Sequence, residues 1–268
     1  MAAELVRVRA SSLPELFDCA ARWEGKNLLG MHLPSSSAAQ LGTAVHAGTA
    51  IFDQSIINAD PLPIEDAEGA VVDAIWHPEY DVDWSDGSQK EAEPIARALY
   101  RKYCEELSPQ FTFRAVEAEC DRLDIPDLGI SLTGTTDRVY EDAASGSLGI
   151  ADIKTGKAAV AADGTVKTNG HAAQIAVYEL LAEHAIGKPI DAPAHILGLQ
   201  VAKTPAGRRA GVGTIEAAKD LLIGTDTQAG MLEMASRMIA SGIFPPNPRS
   251  SLCSPKYCPR FSVCPYRR

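Results

Sequence analysis

Hydrophobic positions along the chain follow two different periods, and the switch between them divides it. Leu16, Phe17, Ala20 and Trp23 recur at helical spacing behind Ser12-Leu-Pro-Glu15, which has the spacing of a capping box, so a first helix carrying Cys19 is expected. After a Ser-rich loop at 34–37, Leu41, Ala44, Val45, Gly48 and Phe52 trace the buried stripe of a second helix, with His46 at its edge. Residues 58–90 are rich in Pro, Asp and Gly around a weak helix, and a helical pattern returns from Glu91 to Leu107 through Ile95, Leu99 and Tyr103. The period then becomes two. Residues 111–125, 130–140 and 148–154 are strand-like runs separated by turn sequences, which predicts a three-stranded meander. Asn169 can cap a helix whose core face is Ala173, Ala176, Val177, Leu180 and Leu181, and a strand over 194–201 follows. A long helix over about 214–241 is expected before Phe244-Pro-Pro-Asn-Pro248, which cannot be helical.

With 268 residues, 46% of them hydrophobic, the chain can bury a full core. The pattern predicts one domain over 1–268, made of an N-terminal helix (1–30), a helical insertion (55–108), a catalytic core (110–202) and a C-terminal tail (245–268). No run approaches the roughly 18 apolar residues of a membrane span, and no signal sequence opens the chain, so a cytoplasmic protein without a membrane partner is expected. A net charge of -10 counts mildly against nucleic acid. The distribution changes that picture, because no acid follows Glu233 while Arg237, Arg249, Lys256, Arg260, Arg267 and Arg268 do.

Six cysteines in a reducing compartment point first to a metal site rather than to disulfides. Cys104 and Cys120 stand apart and suit the core. Cys253, Cys258 and Cys264 lie together in a stretch too poor in aliphatic residues to form a core of its own. Three thiolates leave one position open on a tetrahedral centre, and Cys19 is the natural fourth. Zinc and an iron-sulfur cluster suit such a set equally well.

Hydrolysis of a phosphodiester at neutral pH calls for a divalent cation held by oxygen or imidazole ligands, with a second cation nearby. Asp152-Ile153-Lys154 ends a short strand, and period two puts Asp152 and Lys154 on one face. Such a triplet is common by itself. Its setting is not: Gly42-Thr-Ala-Val-His46 precedes it on a helix, Gly134-Thr-Thr-Asp137-Arg138 on a strand, and Gln174-Ile-Ala-Val-Tyr178 follows on a helix. Each residue also has a structural explanation: His46 as a core histidine, Asp137 as a partner of Arg138, Tyr178 as packing. Helical spacing sets His171, Gln174 and Tyr178 on one face, and period two sets Glu117 and Glu119 on another, offering an additional acid.

In this order the motifs resemble the RecB-type nuclease domain of the PD-(D/E)xK superfamily, the group that includes AddB nuclease domains and the nuclease accompanying CRISPR adaptation genes. The resemblance implies a restriction-endonuclease-like α/β fold, a central mixed sheet flanked by helices with the active metal at one sheet edge. It implies Mg2+ or Mn2+ held by His46, Asp137, Asp152 and the Ile153 carbonyl, with Lys154, Asp137 and Asp152 catalytic and Gln174 and Tyr178 as a Q-x-x-x-Y motif. DNA is the implied substrate, attacked as single strands or duplex ends in recombination or repair, with a helicase or recombinase as a conceivable partner. Members with an iron-sulfur cluster hold it by one N-terminal and three C-terminal cysteines, which makes Cys19, Cys253, Cys258 and Cys264 ligands of a [4Fe-4S] cluster, with Zn2+ as the alternative. Four residues separate Cys253 from Cys258, where the family pattern has two. A catalytically silent DNA- or partner-binding module with a structural four-cysteine metal site is the competing function. No G-x-x-x-x-G-K-[S/T] occurs, so ATP-driven unwinding is not encoded.

Overall fold

In the computed structural model, which describes residues 5–267 apart from the Asp121 side chain, the change of period at Phe111 separates a helical layer from a sheet. The elements run β1 (Val6–Arg9), α1 (Leu13–Asp18), α2 (Ala20–Asn27), α3 (Ser37–Ile57), α4 (Ile64–Trp76), α5 (Gln89–Lys102), β2 (Thr112–Ile125), β3 (Ile130–Glu141), β4 (Leu148–Gly156), α6 (Ala172–Ile186), β5 (Ala194–Gln200), β6 (Ala210–Ile215), α7 (Ala218–Ile223) and α8 (Met231–Ser241). The expected meander forms: β2 and β3 pair antiparallel, as do β3 and β4. Helix α6 then crosses over to bring β5 parallel to β4, and β6 returns antiparallel to β5.

Helices cover both faces, as a mixed sheet buried on two sides requires. One core joins Val8, Leu16 and Trp23 of the N-terminal segment to Leu132 and Ile150 of the sheet, and to Val177 and Leu181 of α6. The other joins Val45, Val71, Leu99 and Tyr103 to Tyr140, Ile153 and Leu197. Helix α3 and the 55–108 segment together are therefore the layer that buries the second face of the sheet.

The sheet forks. On one edge β3 pairs with β1 over Ile130–Thr133 and with β4 over Arg138–Glu141, so the ladder between β3 and β4 ends at Arg138↔Ala151. Beyond that point β4 stays with β5 through Gly156↔Gln200, while the first half of β3 goes with β1. This four-residue β1, too short for periodicity to announce, makes the fork.

Three local expectations are corrected. Ser12 makes no capping bond; its hydroxyl donates to the Arg9 carbonyl, and extended Cys19 (φ -149°) divides the first helix into α1 and α2. Helix α6 starts after His171 without a side-chain cap, so Asn169 does not serve. The long helix over 214–241 does not exist: Thr214 and Ile215 finish β6, and a small hairpin separates α7 from α8. Gly224 sits at φ +77°, and a Cβ on Gly230 would lie 2.1 Å from the Leu222 carbonyl, so the chain turns where both must be glycine. Among the described residues, no helix is long and apolar enough to cross a membrane.

Candidate active site

At the mouth of the fork, β3 and β4 part beside Asp137 and Asp152, and α3 lies across them. Ser36 caps α3 by accepting from the Ala39 N–H. Gly42 lets the helix approach β4 closely, since a Cβ there would stand 2.8 Å from Thr155 Oγ1. One turn on, His46 turns inward: its Nε2 is 3.1 Å from the Ile153 carbonyl, and its Nδ1 is 3.5 Å from Asp137 Oδ1 and 3.9 Å from Glu117 Oε1. The other Asp137 oxygen accepts from the Ile153 N–H at 2.7 Å, which stands in for the missing ladder bond. One ligand atom each from His46, Glu117 and Asp137 fit within 4.8 Å of one another.

Asp152 is 1% exposed, and its Oδ1 has no hydrogen-bond partner. Lys154 Nζ lies 2.5 Å from Oδ2 as an ion pair, as their shared strand face requires. A buried carboxylate whose one partner is a partly exposed lysine is costly to keep charged, and here it also stands near Asp137 and His46, beside the Ile153 carbonyl. That donor set fits a hard divalent cation. The sequence expectation set this site at a sheet edge; the fork instead puts it between two central strands.

The electrostatics follow from crowding. Burial lowers the His46 pKa, but Asp137, Glu117 and Asp152 outweigh it, and the net shift is upward. Burial raises that of Asp152, against the pull of Lys154. His171 is pushed down to about 4 by burial and by Lys154 and Lys167, so a neutral imidazole borders the lysine. Tyr178, raised by burial and by Asp152 and Asp137, stays a phenol and accepts from Gln174 Nε2 at 2.9 Å.

A family model for the PD-(D/E)XK nuclease superfamily matches residues 7–265. The chain belongs to this superfamily. A solved structure described as "Crystal structure of SSO0001" is a distant likeness, with a TM-score of 0.42 and 13% identity over 98% of this chain and 87% of its own. No curated protein matches the sequence. For a member of this superfamily, a cluster of carboxylates beside a lysine at a sheet fork is the expected place for divalent-metal chemistry.

Two features of this candidate site escape the sequence. Glu117 and Glu119 were equivalent by period, yet only Glu117 reaches His46, because its backbone adopts φ +44° on the irregular β2 strand. Such strain in a non-glycine residue is sustained only where its surroundings hold it. The second is a buried clamp. Asp53, two turns beyond His46 on α3, accepts from Arg138 Nε (2.7 Å), Tyr103 Oη (2.5 Å) and Ser108 Oγ (2.6 Å), and Asp53, Arg138 and Tyr103 are all 0% exposed. A π-helical turn after α5 brings Tyr103 and Ser108 to this point. Arg138 donates to the Asp137 carbonyl, not to its carboxylate, which leaves the carboxylate for the cluster.

The four cysteines are also brought together. Cys19, Cys253, Cys258 and Cys264 line one cavity between α2 and the C-terminal tail. The Asn247 N–H donates to Cys19 Sγ at 3.3 Å, and burial with the nearby Cys19 and Cys253 raises the Cys258 thiol. Arg22, 3% exposed, borders this cavity with one guanidinium nitrogen unpartnered. Cys104 and Cys120 lie in the core. Of the basic tail, Arg260 pairs with Glu24 and Lys256 with Asp86, while Arg268 lies outside the described residues.

Proposed function

We propose that this chain is a divalent-metal-dependent DNA nuclease of the RecB type, acting as an exonuclease on single strands or duplex ends. The observation that carries it is the approach of His46 to Asp137, Glu117 and the Ile153 carbonyl at the fork, with the buried Asp152–Lys154 pair flanking that carbonyl on the same strand. His46, Asp137, Asp152 and Ile153 hold Mg2+ or Mn2+, and Glu117 adds a ligand or steadies His46. Bound there, the cation supplies Lewis acidity toward the phosphate and an acidified water. Lys154 exchanges its Asp152 partner for the attacking water or a phosphate oxygen, and thereby orients the nucleophile. Gln174 holds the Tyr178 hydroxyl toward the substrate.

Cys19, Cys253, Cys258 and Cys264 hold a [4Fe-4S] cluster that staples the tail (245–268) to the N-terminal helices (1–30), so that cluster binding becomes folding energy. On this reading residues 1–268 form one nuclease domain, with 55–108 inserted before the catalytic core (110–202). It works in the cytoplasm on DNA, with a helicase or recombinase to open duplexes for it.

Anaerobically purified protein incubated with end-labelled single-stranded and duplex DNA tests this. Short products that appear with Mn2+ or Mg2+ and vanish with EDTA are expected. A folded, brown protein that cuts neither substrate with either metal would establish the silent binding module instead.

A further inference from the structure

Two grooves flank the fork, and the hydrolytic residues occupy neither. The first runs along β1 and the first half of β3, lined by Arg7, Arg9, Arg122, Thr133 and Thr135, and closes on Tyr178. Arg7 and Arg9 are exposed on the strand face opposite buried Val8, as period two dictates. Arg7 Nε donates to Thr133 Oγ1 at 3.2 Å, which lays its guanidinium over the groove floor. Arg122 is already paired with Asp124 and Glu119 also lines the groove, so the positive charge here rests on Arg7 and Arg9. The groove ends at Thr135, two residues and about 7 Å from Asp137.

The second groove lies past the far ends of β4 and β5, at the N-terminus of α3, and is lined by Ser37, Lys157, Lys203, Lys256 and Tyr257. Lys157 is three residues, about 10 Å, beyond Lys154. Lys203 is 88% exposed and lies 3.8 Å from Glu91, which lines the groove together with Asp86, and Tyr257 is 45% exposed. Lys256 and Tyr257 belong to the cysteine-held tail, and Lys256 both pairs with Asp86 and stands 5.4 Å from the Tyr257 ring centre.

We propose that these grooves are the two arms of one track for a single nucleic-acid strand, which crosses the fork over Asp137 and Asp152. The track rests on the nuclease reading of the fork. Its chemistry is that of sequence-independent strand binding: guanidinium, ammonium and hydroxyl groups for phosphates, and the exposed Tyr257 ring in the second arm for a stacked base. The cysteine-held tail then does more than close the chain, since it forms a wall of the second arm and links the metal-cluster region to substrate grip.

Fluorescence anisotropy of a labelled single-stranded oligonucleotide, titrated in EDTA over a series of salt concentrations, tests the track without hydrolysis. Arg7→Glu/Arg9→Glu and Lys157→Glu/Lys203→Glu are each expected to bind at least about tenfold more weakly than wild type and to lower the salt slope by about 1.4, at roughly 0.7 per phosphate contact. The charge-matched Lys90→Glu/Lys188→Glu, exposed and outside both grooves, is expected to bind close to wild type. A blunt duplex of equal length is expected to bind more weakly than the strand. The two-armed track is overturned if either groove variant binds like the charge-matched control, or if duplex binds as tightly as strand. A wild type that grips the strand through these residues yet never cuts sinks the nuclease reading and leaves the track. A wild type that cuts while the groove variants bind like the control sinks the track alone.

Discussion

Lys154→Ala is expected to slow single-strand cleavage by about 100- to 1,000-fold, the usual cost of removing one preorganised charge from a transition state. The substitution sits on the rim of the fork, where the Lys154 side chain is 25% exposed, so the fold should survive it. Its ion-pair partner, Asp152, is left buried and unpaired, which strengthens the site's demand for a divalent cation. The rate should therefore fall while Mn2+ affinity is kept or improved. Single-turnover cleavage beside a Mn2+ titration separates these. Equal loss of both would make Lys154 a structural neighbour of the site and remove its assigned role.

Asp53→Ala should be the most damaging single change to stability. Arg138 would keep a fully buried guanidinium with its Asp53 bond gone, and Tyr103 and Ser108 would each lose a buried acceptor. Removing one partner of a buried, hydrogen-bonded pair costs about 3–5 kcal/mol, a large part of the roughly 5–15 kcal/mol that holds a domain folded. Urea unfolding measures it, with Asp53→Asn, which keeps some acceptor capacity, expected to fall between the two. A loss under about 1 kcal/mol would show that the clamp does not hold α3 to β3. Because His46 and Asp53 lie two turns apart on one helix, the same loosening should disperse the imidazole from the carboxylates before the protein unfolds.

What could be read in the sequence was what local spacing controls. The change from period 3.6 to period two at Phe111, the shared face of Asp152 and Lys154, and the four-residue step from Gln174 to Tyr178 each depend on a few adjacent residues. The mixed sheet with helices on both faces follows from those runs. The fork does not, because it depends on Val6–Arg9 choosing β3 as its parallel neighbour, a contact 124 residues away in the register Val6↔Ile130. Glu117 was indistinguishable from Glu119 until a positive φ set it apart. Asp53 looked like one more acid on a helix, since its partners come from a strand and from a π-helical turn. The 214–241 segment misled for the opposite reason: its composition suits a helix, but Gly224 and Gly230 are held where backbone crowds backbone.

The central claim is that the fork gathers its donors to hold a divalent cation, and isothermal titration of chelator-washed protein with Mn2+ tests it most directly. Saturable binding to wild type is expected, lost in His46→Ala and Asp137→Asn while both variants remain folded. A folded wild type that takes up no Mn2+, or variants that bind it as wild type does, would contradict the account.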